Sequence, residues 1–214
     1  MRIEVINQSH EILKIDNDPL QMIERAARTC YKSEKKITKE SAHKFVKKLK
    51  DNKHNAMIEF GDMTVKFITD RGIVLELVRH RICSFANESS RYVNYNKKGF
   101  QFIRPVWCSS EICGEYICKL PYQLHSSSRW INAMFLSAET YDQLLIKGWK
   151  PEQARSVLPN SLKSEIVVKA NLREWIHIFK LRTSKKAHPQ MRALMIPLLK
   201  EVQTKIPVLF DGIL

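Results

Sequence analysis

Residues 79–92, Arg-His-Arg-Ile-Cys-Ser-Phe-Ala-Asn-Glu-Ser-Ser-Arg-Tyr, put three arginines, a histidine, an amide, an acid and three serine hydroxyls into fourteen positions. Cations alone would suit the negative end of a helix. They do not account for the Asn87-Glu88-Ser89-Ser90-Arg91 run that follows. A turn there could offer hydroxyls, backbone N–H groups and an arginine fork to a phosphate. Read as a helix continuing from residue 70, the segment sends Arg79 and Arg81 to nearly opposite sides, since successive residues stand about 100° apart. The two arginines would then serve different ligands, or a ligand shared with another chain. Cys83 or Ser89 could act as a nucleophile with His80 as its base, because a thiol or hydroxyl needs an adjacent base or a lowered pKa. A binding or structural role for these residues is the stronger reading, since Cys near His in sequence is common.

A second polar set lies downstream: Arg155, Asn171, Arg173, His177, Arg182, His188 and Gln190. Arg182 stands apart. Trp175, Ile178, Phe179 and Arg182 fall at i, i+3, i+4 and i+7, so a guanidinium ends an apolar helical stripe. Partial burial is expected, and a buried arginine needs an anion or a polar acceptor close by.

The elements that must hold these groups can be read in part. Arg2 to Ile6 alternates as a strand, and Asp18-Pro19 reads as N-cap and first residue of a helix to about Tyr31. A helix from near Thr38 carries Ala42, Phe45, Val46 and Leu49 on one side; the nine lysines of residues 32–53 read as its solvated face. Residues 62–69 alternate as a strand, and Asp70 caps a helix with Ile73, Val74, Leu77 and Val78 as its stripe. Tyr92-Val93-Asn94-Tyr95 and the segment from Phe100 read as strands around a Lys97-Lys98-Gly99 turn. The longest helix runs from Ser126 to a C′ glycine, Gly148, and Pro151 opens a short one. Residues 165–170 read as a strand or an extended entry to the next helix, and Asn171 with Glu174 has capping-box spacing. Pro197 predicts a kink or restart in the last helix. Strands early and helices late give an α+β class, taken as a single domain over residues 1–214 with a small, mostly antiparallel sheet.

The 214 residues are enough for a chain to bury roughly 70% of its unfolded surface. The composition is 44% hydrophobic and 27% charged, which argues against disorder. Six well-separated glycines exclude both GxGxxG and the P-loop, so any nucleotide must be held by side chains in a non-Rossmann fold. Cys108, Cys113 and Cys118 lack the paired spacing of a zinc site, and no metal is expected. Five unpaired cysteines, no spanning apolar run and no signal peptide lead to an expected cytoplasmic location with no membrane partner. The net charge of +14 suits nucleic acid or small anions equally. No helix-turn-helix, zinc-finger or RNP-type pattern supports the former.

Arg79-His80-Arg81, seven residues, then Ser89 resembles the RHR-(seven)-S motif of the flavin-dependent thymidylate synthases, and Arg91-Tyr92 extends it. Glu152-Gln153-Ala154-Arg155 with Leu158-Pro159, Asn171-Leu172-Arg173, Leu181-Arg182 and Ala187 to Arg192 are similar to the family's later blocks in the same order, so the likeness spans roughly residues 54–192. The resemblance implies conversion of dUMP to dTMP, with methylenetetrahydrofolate as carbon donor and NADPH as reductant through FAD. It also implies a homotetramer with active sites at subunit interfaces. Carried over by position, Arg79, His80, Arg81, Asn171, Arg173, His177 and His188 would contact FAD. Glu76, Arg79, Asn87, Glu88, Ser89, Ser90, Arg91, Arg155 and Arg182 would hold dUMP. Arg182 would be catalytic, stabilising negative charge on the uracil so that no protein nucleophile is needed. Three positions depart from the common pattern: Glu76 where many members have Gln, Ala56 where a small hydroxyl residue is frequent, and His177 where some have Asn. Residues 108–118 have no implied role and read as a variable helical region. The competing readings are a basic nucleic-acid-binding protein and a family member that binds FAD or dUMP without turnover.

Overall fold

A computed structural model describes residues 1–120 and 125–213. The fold class is α+β, and its contacts gather into two compact units.

The first unit comprises residues 1–9, 67–77 and 86–166. Strand β1 (Ile3–Ile6) is the centre of a three-stranded sheet. It pairs in parallel with the strand Phe100–Ile103, bringing Ile3 opposite Phe100 and Val5 opposite Phe102, and antiparallel with Gly114 to Tyr116 on its other side. Alternation drives this arrangement: Ile3 and Val5 are buried while Glu4 and Ile6 are partly exposed. Ile3, Phe100 and Phe102 pack with Ile131, Phe135, Ala138 and Tyr141, the buried stripe of the helix Ser126–Ile146. Each fully buried side chain of this size contributes about 1.5–3 kcal/mol.

The second unit comprises residues 10–66, 78–85 and 167–214. Strand β2 (Ser9–Ile15) leads to α1 (Pro19–Thr29), whose Asp18 cap accepts from the Gln21 N–H at 3.1 Å. Helix α2 (Ser41–Asp51) follows and buries Ala42, Val46 and Leu49. Between these helices Glu24, fully buried, accepts from Arg28 at 2.7 Å and from the Ser41 hydroxyl at 2.8 Å, while the Arg28 guanidinium lies 4.3 Å from the Phe45 ring centre. Such a carboxylate survives burial because both oxygens are satisfied.

Strand β3 (Asp62–Asp70) buries every second residue, and Asp70 caps α3 (Arg71–Leu77) by accepting from the Ile73 N–H at 2.7 Å. Further along come β4 (Ser84–Asn87), the one-turn α4 (Tyr95–Lys98), β5 (Phe100–Ile103), β6 (Gly114–Tyr116), α5 (Ser126–Ile146) and α6 (Pro151–Ala154). Strand β7 (Lys163–Asn171) leads directly into α7 (Leu172–Arg182), then α8 (Pro189–Lys205) and α9 (Pro207–Phe210). A four-stranded sheet has the order β2-β3-β7-β4. In α7 the Trp175 indole is fully buried and donates to the Met63 carbonyl at 3.0 Å, and Phe179 meets Phe210 edge-on at 5.7 Å.

Several sequence expectations change. Helix α3 ends at Leu77, so Arg79, His80, Arg81 and Cys83 lie on turns rather than a helix, and the 100° argument for the two arginines does not apply. Tyr92 to Tyr95 is no strand: Asn94 caps α4 by accepting from the Asn96 and Lys97 N–H groups. Residues 108–118 are not helical but supply a short 3₁₀ turn and β6. Helix α8 continues through Pro197 without restarting. Strands β2 and β4 have no counterpart in the sequence reading. No described helix is long and apolar enough to cross a membrane.

Candidate active site

The junction of β7 and α7 positions the first cluster. Asn171 ends the strand and caps the helix, its side-chain oxygen accepting from the Glu174 N–H at 2.8 Å. The junction is tied to the residue before β3 by the Leu172 N–H donating to the Gly61 carbonyl at 2.8 Å. A Cβ on Gly61 would stand 2.8 Å from the Leu172 Cδ1 and 3.1 Å from the Pro19 Cβ, so a larger residue there would have to displace the Leu172 side chain.

From that fixed start, Glu174, His177 and Arg182 project along α7, and the turn after α3 brings His80 to them. His80 is buried, with Nδ1 3.3 Å from the Glu174 carboxylate and Nε2 accepting from the Arg182 Nε–H at 3.0 Å. The His177 ring meets His80 edge-on at 6.0 Å. Burial, then the charge of Arg182, then His177, lower the His80 pKa to about 4, so the ring is neutral at physiological pH. Arg182 is partly exposed, as its place at the end of an apolar stripe predicts.

Beside this cluster lies a cavity of about 390 Å³, lined by Glu59, Ile82, Asn171, Arg173, Glu174 and His177. Its size falls within the range of small-molecule sites. Arg173 is exposed and reaches Glu59 at 2.6 Å. Arg79 and Arg81 are exposed on the turns that flank His80. His188 is elsewhere: it caps α8, its Nδ1 accepting from the Gln190 N–H at 3.2 Å, and it does not line the cavity. Cys83 is a poor nucleophile here. Burial and the Glu174 charge push its thiol up to about 12, leaving almost no thiolate near neutrality.

Within the first unit a second cluster forms around residues 87–91. Glu88 is anchored by its N–H donating to the Glu165 carbonyl at 2.8 Å, and its carboxylate meets Lys163 at 3.2 Å. Lys163 also reaches Glu165 at 2.5 Å. Asn87 accepts from the Ser164 hydroxyl at 3.1 Å, and Arg155 donates to the Ser90 hydroxyl at 2.8 Å. Ser89 closes a turn, its carbonyl accepting from the N–H groups of Tyr92 and Val93, and its hydroxyl accepts from the Arg91 N–H at 3.4 Å. Arg91 is exposed, 5.4 Å from the Tyr92 ring centre. Glu76, on α3, is partly exposed.

The structure therefore joins His80, His177, Asn171, Arg173 and Arg182 around α7, and separately joins Asn87, Glu88, Ser89, Ser90, Arg91 and Arg155. It adds Glu59, Glu174 and Lys163, which the sequence reading missed as site residues. Glu174 had a signal: it stands four residues before Ile178 and eight before Arg182, on the same helical face. Glu59 had none, since its partner Arg173 is set by tertiary contact, and Lys163 had only Glu165, two residues on along the same strand, while its contact with Glu88 is tertiary.

Residues 11–208 match the family model described as Thymidylate synthase complementing protein. A flavin-dependent thymidylate synthase of Geobacter sulfurreducens is 30% identical over 207 residues, covering 93% of this chain and 84% of that protein. One from Pyrococcus abyssi is 30% identical over 193 residues, covering 86% and 74%. Among solved structures, the UMP/dUMP methylase PolB of Streptomyces cacaoi, bound with 5-Br dUMP, superposes with a TM-score of 0.78 at 24% identity, covering 98% of this chain and 96% of that one. Thymidylate Synthase X of Helicobacter pylori, with FAD and dUMP, gives 0.75 at 22% identity, covering 96% and 98%. At these identities the two structures speak for the fold.

Proposed function

The chain belongs to the flavin-dependent thymidylate synthase family, and we propose that it methylates dUMP to dTMP with methylenetetrahydrofolate as carbon donor and NADPH as reductant. The observation that carries this reading is the α7 cluster: a partly buried guanidinium, Arg182, whose Nε is held by a buried neutral histidine beside a cavity of suitable size.

The residues around that cavity fit a flavin nucleotide. Asn171 and His177 offer polar contacts, while Arg173, with Arg79 and Arg81 on the nearby turns, supplies cations for a pyrophosphate without a glycine-rich turn. His80 contributes as the buried partner of Arg182, and the exposed cap His188 would join only as an outer contact. Bound FAD would supply the hydride chemistry that no side chain can.

The remaining work falls to the chain's own groups. Arg155 with Ser90, together with Ser89, Arg91 and the turn around them, would bind the phosphate of dUMP, while Asn87, Glu88 and Glu76 would orient the nucleotide. The exposed Arg79 would reach FAD and dUMP alike. Arg182 has five N–H donors, of which the one on Nε is committed to His80. A guanidinium so fixed favours negative charge at uracil N3 and its neighbouring carbonyl, which makes C5 the electron-rich carbon. Charge arranged in advance lowers a barrier without reorganisation cost at the moment of reaction. The raised Cys83 pKa supports a route without a covalent protein intermediate. A homotetramer with interfacial active sites completes the proposal.

The test is the visible spectrum of the purified protein supplied with FAD, followed by anaerobic NADPH. The expected result is a protein-bound flavin that bleaches. A folded protein that takes up no flavin would contradict the reading.

A further inference from the structure

We propose that Glu174 is a positioning residue that acts through His80 to set the orientation of the Arg182 guanidinium. The inference deepens the reading of Arg182 as the group that meets the uracil, and rests on it.

The donor and acceptor inventory leaves one arrangement. A guanidinium can only donate, so the His80 Nε2 that lies 3.0 Å from Arg182 Nε must carry a lone pair. The single proton of the neutral ring is then on Nδ1. The Glu174 carboxylate, which can only accept, lies 3.3 Å from that nitrogen. A carboxylate beside Nδ1 favours the proton there, that tautomer presents a lone pair on Nε2, and the lone pair holds the Arg182 Nε–H. Histidines oriented by a carboxylate on the far ring nitrogen recur wherever the near nitrogen has a defined task.

Glu174 is itself held. Its N–H is committed to the Asn171 cap, and a negative charge in the first turn of a helix is favoured by the helix dipole. It is only 7% exposed, as is His80, so water cannot replace the carboxylate cheaply. Without it, the Nδ1–H loses its acceptor. The other tautomer would turn an N–H toward the Arg182 N–H, and the guanidinium would have to move.

The experiment is a double-mutant cycle on dUMP affinity, measured by titration calorimetry on FAD-loaded protein. Glu174→Ala is expected to weaken dUMP binding about tenfold with Arg182 present, and by less than about twofold in an Arg182→Ala background, because coupled residues are not additive. Glu174→Gln, whose amide oxygen still accepts from Nδ1–H, should restore most of the loss. Equal weakening in both backgrounds, or none in either, would overturn the assignment. Should Glu174→Ala not fold, ¹⁵N-histidine NMR of the wild type and of Glu174→Gln decides the matter. An Nδ1-protonated, neutral His80 is expected in both, and an Nε2-protonated ring would overturn the relay. Wild-type protein that loads FAD yet binds no dUMP would overturn the reading of Arg182, and this assignment with it.

Discussion

The α7 cluster and the residue 87–91 cluster use similar residue types in opposite ways. Around α7 the histidine and the acid are buried and joined across long sequence separations, His80 to Glu174 and His80 to Arg182. Residues 87–91 are exposed or half-buried and each has its own partner: Asn87 the buried Ser164, Glu88 Lys163, Ser90 Arg155. The first arrangement fixes a charge before any ligand arrives. The second supplies polar groups whose present partners a ligand must share or replace. Damage to the first should therefore appear in rate as well as in dUMP affinity, and damage to the second in affinity alone.

Arg182→Ala should break the first cluster most sharply. We expect dTMP formation to fall about 100- to 1000-fold, the scale of losing a preorganised charge, with FAD content unchanged. Wild-type turnover in this variant would remove Arg182 from catalysis.

Arg155→Ala sharpens the contrast from the other side. Losing a charge-assisted contact should raise the KM for dUMP roughly 10- to 100-fold while the flavin spectrum and the rate at saturation hold. A loss in rate at saturation with unchanged KM would merge the two clusters into one functional class.

Acid titration separates them by burial. His80 has its folded pKa lowered from 6.5 to about 4, so below pH 6.5 the unfolded chain binds a proton that the folded chain refuses. Its contribution is complete above about pH 6.5 and is lost as the pH falls through about 4, worth up to about 3 kcal/mol over that window. Urea unfolding at pH 7 and pH 4.5 should show a smaller drop for His80→Asn than for the wild type. An identical drop would mean that His80 is not held neutral.

Smallest is Cys83→Ala. With its thiol pushed up to about 12, Cys83 has no thiolate to lose, and turnover should stay within about threefold. Complete loss in a folded variant would restore a cysteine nucleophile.

The same contrast explains what the sequence disclosed. Elements with a buried face were readable: β1, β3 and β7 alternate, and α5 and α7 carry apolar stripes. Caps with a chemical reason were readable too, Asp18, Asp70 and Asn171 among them. The strands missed were β2, β4 and β6, each at the edge of its sheet. None of them has a buried residue, so no buried apolar face marks them in the sequence. The apolar stripe ending at Arg182 gave that residue's partial burial correctly. The His80 contact escaped because the segment looked like more of α3, whereas a chain leaving the helix at Leu77 can turn His80 inward while Arg79 and Arg81 stay exposed. Glu174 looked like half of a capping box, and its carboxylate instead serves His80.

A single anaerobic turnover tests the central claim most directly: FAD-loaded protein reduced with NADPH, freed of excess reductant, then given dUMP and methylenetetrahydrofolate. The account predicts flavin reoxidation with dTMP formed in equal amount. Reduced, protein-bound flavin that reoxidises without dTMP, or stays reduced, would contradict it.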